Sequence, residues 1–155
     1  MVYHVYTDGS CNAETYVSAS AYLIITKTAF ICSDTEVFRC KTATLVELKA
    51  ISLALKALKE KVVLTEEDRI VIWTDSMASM YLLKGRDYEK VQLHKENPIV
   101  IDALDTYAKT KELCKCELKK IEAHKDNLNP NKTVDRLAKY FRQVTEKKHK
   151  RKHNG

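Results

Sequence analysis

Glycine and proline are scarce in this chain, three and two in 155 residues, which excludes collagen-like and Gly/Pro-rich low-complexity architectures. No apolar stretch approaches the roughly eighteen residues that a membrane-spanning helix needs, so no membrane is expected as a partner. The opening Met1-Val2-Tyr3-His4-Val5-Tyr6 lacks the basic flank and long apolar core of a secretory signal, and the expected location is cytoplasmic. Five cysteines are an odd set, which fits reduced thiols better than a disulfide framework. Cys114 and Cys116 alternate on a predicted strand, with no second Cys/His pair at metal-binding spacing, so burial is their expected role. What is present is a globular balance, 45% hydrophobic and 31% charged, on a length that suits one domain.

The net charge of +6 is unevenly spread. Beyond Glu146, the run Lys147-Lys148-His149-Lys150-Arg151-Lys152-His153 holds five Lys/Arg and no acid, while the other 22 Lys/Arg face all 21 Asp/Glu. Like charges at this density repel one another and attract polyanions. The expected division is therefore a domain over residues 1–146 and a basic, disordered tail over 147–155.

Hydrophobic periodicity orders the rest. A short apolar run over residues 2–6 stops at Thr7-Asp8-Gly9-Ser10, which reads as a buried strand ending in a turn. Strands are predicted over about 16–25 and 29–38, joined by Thr26-Lys27-Thr28, a link short enough for antiparallel neighbours. Leu48, Ile51, Leu55 and Leu58 step by three, four and three along one face of a helix that Thr42 or Thr44 can cap. The segment 69–74 reads as a fourth strand ending at Asp75-Ser76, and a short helix then closes at Gly85. Asn97-Pro98 opens another helix, Leu113 to Ala123 reads as the last strand, and Val134, Leu137, Ala138 and Phe141 mark a C-terminal amphipathic helix. The result is an α/β fold, a mixed sheet packed by helices.

Two acids occupy matched places: Asp8 after the first strand and Asp75 after the fourth. If those strands are parallel neighbours, both carboxylates emerge at the carboxyl edge of the sheet, where open α/β sheets place their sites. Two such groups repel, and one is driven protonated unless they share a cation. A hard divalent ion with oxygen ligands, Mg²⁺ or Mn²⁺, is the natural solution. Taken singly each acid has a plainer role, Asp8-Gly9 as a turn and Asp75 as a helix cap. Glu47, between apolar neighbours in Leu45-Val46-Glu47-Leu48, is expected to be partly buried and to need a partner.

Tyr6-Thr7-Asp8-Gly9-Ser10-Cys11, Glu47 within Val46-Glu47-Leu48-Lys49-Ala50, and Trp73-Thr74-Asp75-Ser76, followed by His124, Asn131 and Asp135, together resemble the type 1 ribonuclease H family. The resemblance runs to about Phe141 and keeps the order of the motifs. It implies a five-stranded mixed sheet with the first three strands antiparallel and helices around it. It also implies that Asp8, Glu47, Asp75 and Asp135 hold two Mg²⁺ ions, with Mn²⁺ as a substitute, across a phosphodiester of the RNA strand in an RNA–DNA hybrid. The product would carry a 5′ phosphate and leave a 3′ hydroxyl. His124 would assist proton transfer or product release, and Ser10, Cys11, Thr42, Thr44 and Asn131 would contact substrate. A monomer is expected.

Several positions depart from the family's pattern. Asn12-Ala13-Glu14-Thr15 replaces a glycine-rich turn, Ala43-Thr44 an asparagine pair, and Met77 a frequent glutamine. Such positions help to sense the 2′-hydroxyl, so catalysis is implied while strict hybrid selectivity is not. The basic, tryptophan-rich extension is missing: between Ser76 and Asn97 only Lys84, Arg86, Lys90 and Lys95 are basic, and no tryptophan occurs. Two other readings stand beside the free-standing nuclease. One is an isolated ribonuclease H domain of a reverse-transcriptase-type protein; the other is a nonenzymatic nucleic-acid-binding module on the same fold.

Overall fold

The structure, a computed structural model, describes residues 1–85, 96–121 and 130–154. Strands β1 (Val2–Cys11), β2 (Val17–Ile25) and β3 (Phe30–Arg39) lead into helix α1 (Ala43–Lys61). Strand β4 (Arg69–Thr74), helices α2 (Met77–Lys84) and α3 (Pro98–Leu113), strand β5 (Lys115–Lys120) and helix α4 (Pro130–Asn154) follow. The five strands form one sheet in the order β3-β2-β1-β4-β5. The first three are antiparallel, and β4 runs parallel to both β1 and β5. The expected mixed sheet with flanking helices is the fold observed.

The two faces of the sheet are filled differently. Leu48, Ile51, Leu55 and Leu58, at most 1% exposed, carry the predicted stripe of α1 into the main core. There they join Tyr3 and Val5 of β1, Ile70 and Ile72 of β4 and Leu118 of β5. On the opposite face α4 lays Val134 and Ala138 against Ala19 and Ala21 of β2. Small residues on both sides let helix and sheet approach closely.

Local punctuation follows the expected chemistry at α2 and α3. The Ser76 hydroxyl accepts from Ser79 N–H at the start of α2, and Gly85 closes that helix in the left-handed region at φ 67°. Asn97 Oδ1 accepts from Ile99 N–H at 2.9 Å, with Pro98 at the first helical position of α3. Thr42 is the N-cap of α1 by position, but its side chain makes no capping bond.

Two expectations need correction. The first strand does not turn at Asp8-Gly9: β1 stays paired with β2 from His4↔Ile25 to Cys11↔Ser18, and this ladder holds the Asp-Gly dipeptide extended. Nor is the basic segment after Glu146 a disordered tail, for α4 continues as helix to Asn154. Lys and Arg are good helix formers, and positive charge at a helix C-terminus is favoured by the helix dipole. Among the described residues no helix is long and apolar enough to cross a membrane.

Candidate active site

The register of the parallel strands puts two acids at one level. Pairing of β1 with β4 ends at Tyr6↔Trp73, so Asp8 and Asp75 each lie two residues past the last pair. β1 continues beside β2 while β4 ends at Thr74 and leads into α2, so the two strands diverge at the carboxyl edge, where open α/β sheets place their sites. The Thr7 hydroxyl donates to Trp73 C=O across this divergence at 3.3 Å. Ser76, rather than Asp75, takes the cap position of α2, so Asp75 is not used as a helix cap.

Glu47 arrives from the first turns of α1, and its position depends on two small residues. The Ser20 hydroxyl, buried on β2, donates to Val46 C=O at 2.6 Å and ties the start of α1 to the sheet. Gly9 is the point of closest approach: a Cβ there would lie 2.8 Å from Val46 Cγ1 and 3.1 Å from Glu47 N. Its role is clearance, not turn formation. The carboxylate oxygens of Asp8, Glu47 and Asp75 come within 4.8 Å of one another. Asp8 is 3% exposed and Glu47 9%, while Asp75 is open to solvent.

Asp135, on α4, faces this cluster from the other side. Its carboxyl lies close enough to Asp8 to help raise that group's pKa, while Lys139 one turn on pairs with it at 3.1 Å. The structure thus brings Asp8, Glu47 and Asp75 into one carboxylate cluster that could hold a metal ion, with Asp135 near Asp8. His124 lies outside the described residues, and so does the side chain of Asn131. Among the expected substrate contacts, Thr42 is exposed and Thr44 half-buried at the start of α1. Cys11 donates its thiol to Cys40 C=O at 3.3 Å. Ser10 is buried, and its hydroxyl accepts from Arg142 Nε at 2.7 Å.

The electrostatics show what these acids lack. Burial pushes the Asp8 carboxyl up to about 7, helped by the nearby Asp135 carboxyl and the charge of Asp75 and opposed by the Gly9 N–H at 2.9 Å. Burial likewise lifts Glu47 well above the ordinary carboxylate range, followed by the charges of Asp8 and Asp75. Asp75 is raised by partial desolvation and by Asp135, with its own backbone N–H and Lys120 acting the other way. Glu47 Oε2 is buried with no hydrogen-bond partner among the described residues. An orphaned carboxylate oxygen among all-oxygen donors fits a hard divalent cation, which would relieve repulsion and desolvation together.

A stability signature follows. With no metal bound, Asp8 is still protonated in the folded state at pH values where the unfolded chain, near its ordinary 3.8, has ionised. The folded state then binds more protons, so stability falls as pH rises from about 4 to about 7. Thermal melting in chelator should lose on the order of 2–4 kcal/mol of stability across that range, and Mg²⁺ should restore more of it at pH 8 than at pH 5. Asp68, Glu117 and Glu146 are held below their ordinary values and stay ionised between pH 5 and 8. His4, lowered chiefly by burial, works in the opposite sense near pH 6.5. An Asp8→Asn control separates the two. A profile identical in wild type and Asp8→Asn would contradict the assignment.

Sequence reasoning missed Ser20, Arg142, Glu146 and the packing role of Gly9. Alternation of Ser18 and Ser20 with Ala19 and Ala21 on one strand was an available signal, since small polar residues at period two in a buried strand mark where a helix start can be tied down.

A family model described as RNase H matches residues 2–143. The chain is similar in structure to the RNase H1 of the halophilic archaeon Halobacterium salinarum NRC-1, with a TM-score of 0.67 and 15% identity, covering 90% of this chain and 96% of that one. It is also similar to the N-terminal RNase H domain of Rv2228c from Mycobacterium tuberculosis, solved as a fusion with maltose-binding protein. There the TM-score is 0.74 and the identity 14%, over 96% of this chain and 98% of that one. A comparison with curated protein sequences returns no match.

Proposed function

Because the chain belongs to the RNase H family, we propose that it is a metal-dependent endoribonuclease that hydrolyses the RNA strand of RNA–DNA hybrids, leaving 5′-phosphate and 3′-hydroxyl ends. The observation that carries this reading is the convergence of Asp8, Glu47 and Asp75 within 4.8 Å, one of them with a buried oxygen that has no hydrogen-bond partner among the described residues. Asp8, Glu47, Asp75 and Asp135 would hold two Mg²⁺ ions, for which Mn²⁺ can substitute. Bound there, the metal supplies a lowered pKa for the attacking water and charge stabilisation for the leaving 3′ oxygen.

The chain's own groups do the positioning. Asp8 is aimed by the Gly9 N–H and sits between Glu47 on one side and Asp135 on the other. Asp75 forms the open side of the set, where a phosphodiester can enter. Thr42, with its hydroxyl unused in capping, is placed at the exposed start of α1 to donate to a backbone phosphate near the site. Ser10 is already engaged by Arg142, so its contribution to substrate is through the strand it steadies. His124 is assigned proton transfer or product release on the strength of the family resemblance. With Ala43, Thr44 and Met77 at positions that sense the 2′-hydroxyl, discrimination against other duplexes is expected to be modest.

The test is cleavage of labelled RNA annealed to DNA, with duplex and single-stranded RNA as controls, in Mg²⁺ and in chelator. Metal-dependent cutting of the hybrid is expected. Failure to cut in any divalent metal would favour the nonenzymatic module, and equal cutting of all three substrates would remove the hybrid as the preferred substrate.

A further inference from the structure

The helix that delivers Asp135 to the site also carries the densest positive charge in the chain, and its contacts show where that charge lies. Asp135 meets Asp8, Arg142 Nε donates to Ser10 Oγ at 2.7 Å, and Glu146 Oε1 accepts from Asn12 Nδ2 at 3.0 Å. Moving up α4 therefore means moving along β1 toward its carboxyl end. The pairing is a latch: Arg142 Nη1 also donates to Glu146 at 2.7 Å, and Thr15 adds a longer contact to the same oxygen. Both side chains of that ion pair are less than a fifth exposed. Glu146 is the last acid in the sequence.

Past the latch, residues 147–154 continue as helix, about 12 Å at 1.5 Å per residue. This end projects beyond the Asn12–Tyr16 turn on the same edge of the sheet as the acid cluster. Lys147, Lys148 and Lys150 are exposed there and make no ion pair among the described residues. Lys41, next to Thr42, lies on this edge as well, its ammonium 5.2 Å from the centre of the Tyr16 ring. The family match stops at residue 143, so the basic turns lie beyond the matched segment.

The geometry points to a second substrate contact: the C-terminal turns of α4, held by the Arg142–Glu146 latch, grip the phosphate backbone of the duplex whose scissile bond lies at the acid cluster. The proposal rests on reading that cluster as a hybrid-cleaving site. Asp8 and Asn12 are separated by about 13 Å of strand, and the helix end adds the 12 Å above. A duplex reaching both must span roughly 25 Å, on the order of 7–8 base pairs at 3.4 Å each. A floating basic tail would attract any polyanion; a fixed helix end discriminates by length.

The experiment uses the full chain with Lys147, Lys148 and Lys150 all changed to Gln, which keeps helix propensity and removes three charges. Anisotropy with labelled hybrids of about 6 and about 18 base pairs, in chelator and over a range of salt, reads binding without cleavage. For the long hybrid, affinity should fall about tenfold at 0.1 M salt, and the slope of log K against log salt should shrink by about two to three, near 0.9 for each phosphate that is no longer neutralised. The short hybrid should show little change. In Mg²⁺, the Michaelis constant for the long hybrid should rise in parallel, with saturating turnover within about twofold. A chain ending at Glu146 provides the second variant, with the same length dependence and a larger decrease in slope. An unaltered slope on the long hybrid, or equal losses on both lengths, would overturn the proposal. Absence of cleavage alongside the predicted binding change would instead reject the catalytic reading and leave this contact standing.

Discussion

Replacing Asp8 with asparagine should lower turnover on an RNA–DNA hybrid by at least about a hundredfold, because it removes a shared metal ligand, and should at the same time make the metal-free protein more stable at pH 8. The two effects have one cause. Asp8 is 3% exposed, and its carboxyl is pushed up to about 7 mainly by that burial, so at pH 8 the folded chain must hold an ionised group away from water next to Glu47 and Asp75. An amide of the same shape keeps an acceptor for the Gly9 N–H and carries no charge to desolvate. Steady-state kinetics in Mg²⁺ and melting in chelator read the two halves separately. Loss of activity accompanied by loss of metal-free stability would mean that Asp8 acts as a structural hydrogen-bonding residue, not as a cation ligand held at a cost.

Gly9→Ala is the second change with a large expected effect, and it adds only one methyl group. That carbon would lie 2.8 Å from Val46 Cγ1 and 3.1 Å from both Glu47 N and Val46 C, and two of these neighbours are backbone. The start of α1 cannot yield by a rotamer change, so it must move off the strand. Overpacking of this kind costs about 1–3 kcal/mol, which a denaturant titration resolves. The displacement also carries Glu47 away from Asp8, and a shift of about 1 Å in a catalytic group can cost on the order of a hundredfold in rate. Adding Val46→Ala should return part of the stability and little of the rate, because the backbone contacts remain. Wild-type turnover in Gly9→Ala would show that the close approach of α1 to β1 does not set the position of Glu47.

These two positions show what could be read from the sequence and what could not. The stripe Leu48, Ile51, Leu55 and Leu58 states its period plainly, and all four residues are in the core. The matched placement of Asp8 and Asp75 was legible because each follows an apolar run of strand length, and the register of β1 on β4 puts them at one level. Asp8-Gly9, by contrast, has the composition of a turn; only the ladder to β2, made by residues more than ten positions away, keeps it extended. The contact of Arg142 with Ser10 joins residues 132 positions apart and leaves no periodic trace. The basic end of α4 escapes sequence reasoning for a related reason. Charge density argues for disorder when a segment stands alone, whereas here the segment continues a helix already nucleated and anchored through Val134, Ala138 and the Glu146 latch.

The central claim is that carboxylates from β1, α1 and the end of β4 meet to hold a divalent cation. Titration of metal-free protein with Mn²⁺ at pH 8, followed by calorimetry in the absence of nucleic acid, tests it most directly. Wild type should bind saturably, and Asp8→Asn and Glu47→Gln should each weaken binding by at least about tenfold. Equal Mn²⁺ binding by wild type and both variants would contradict the account.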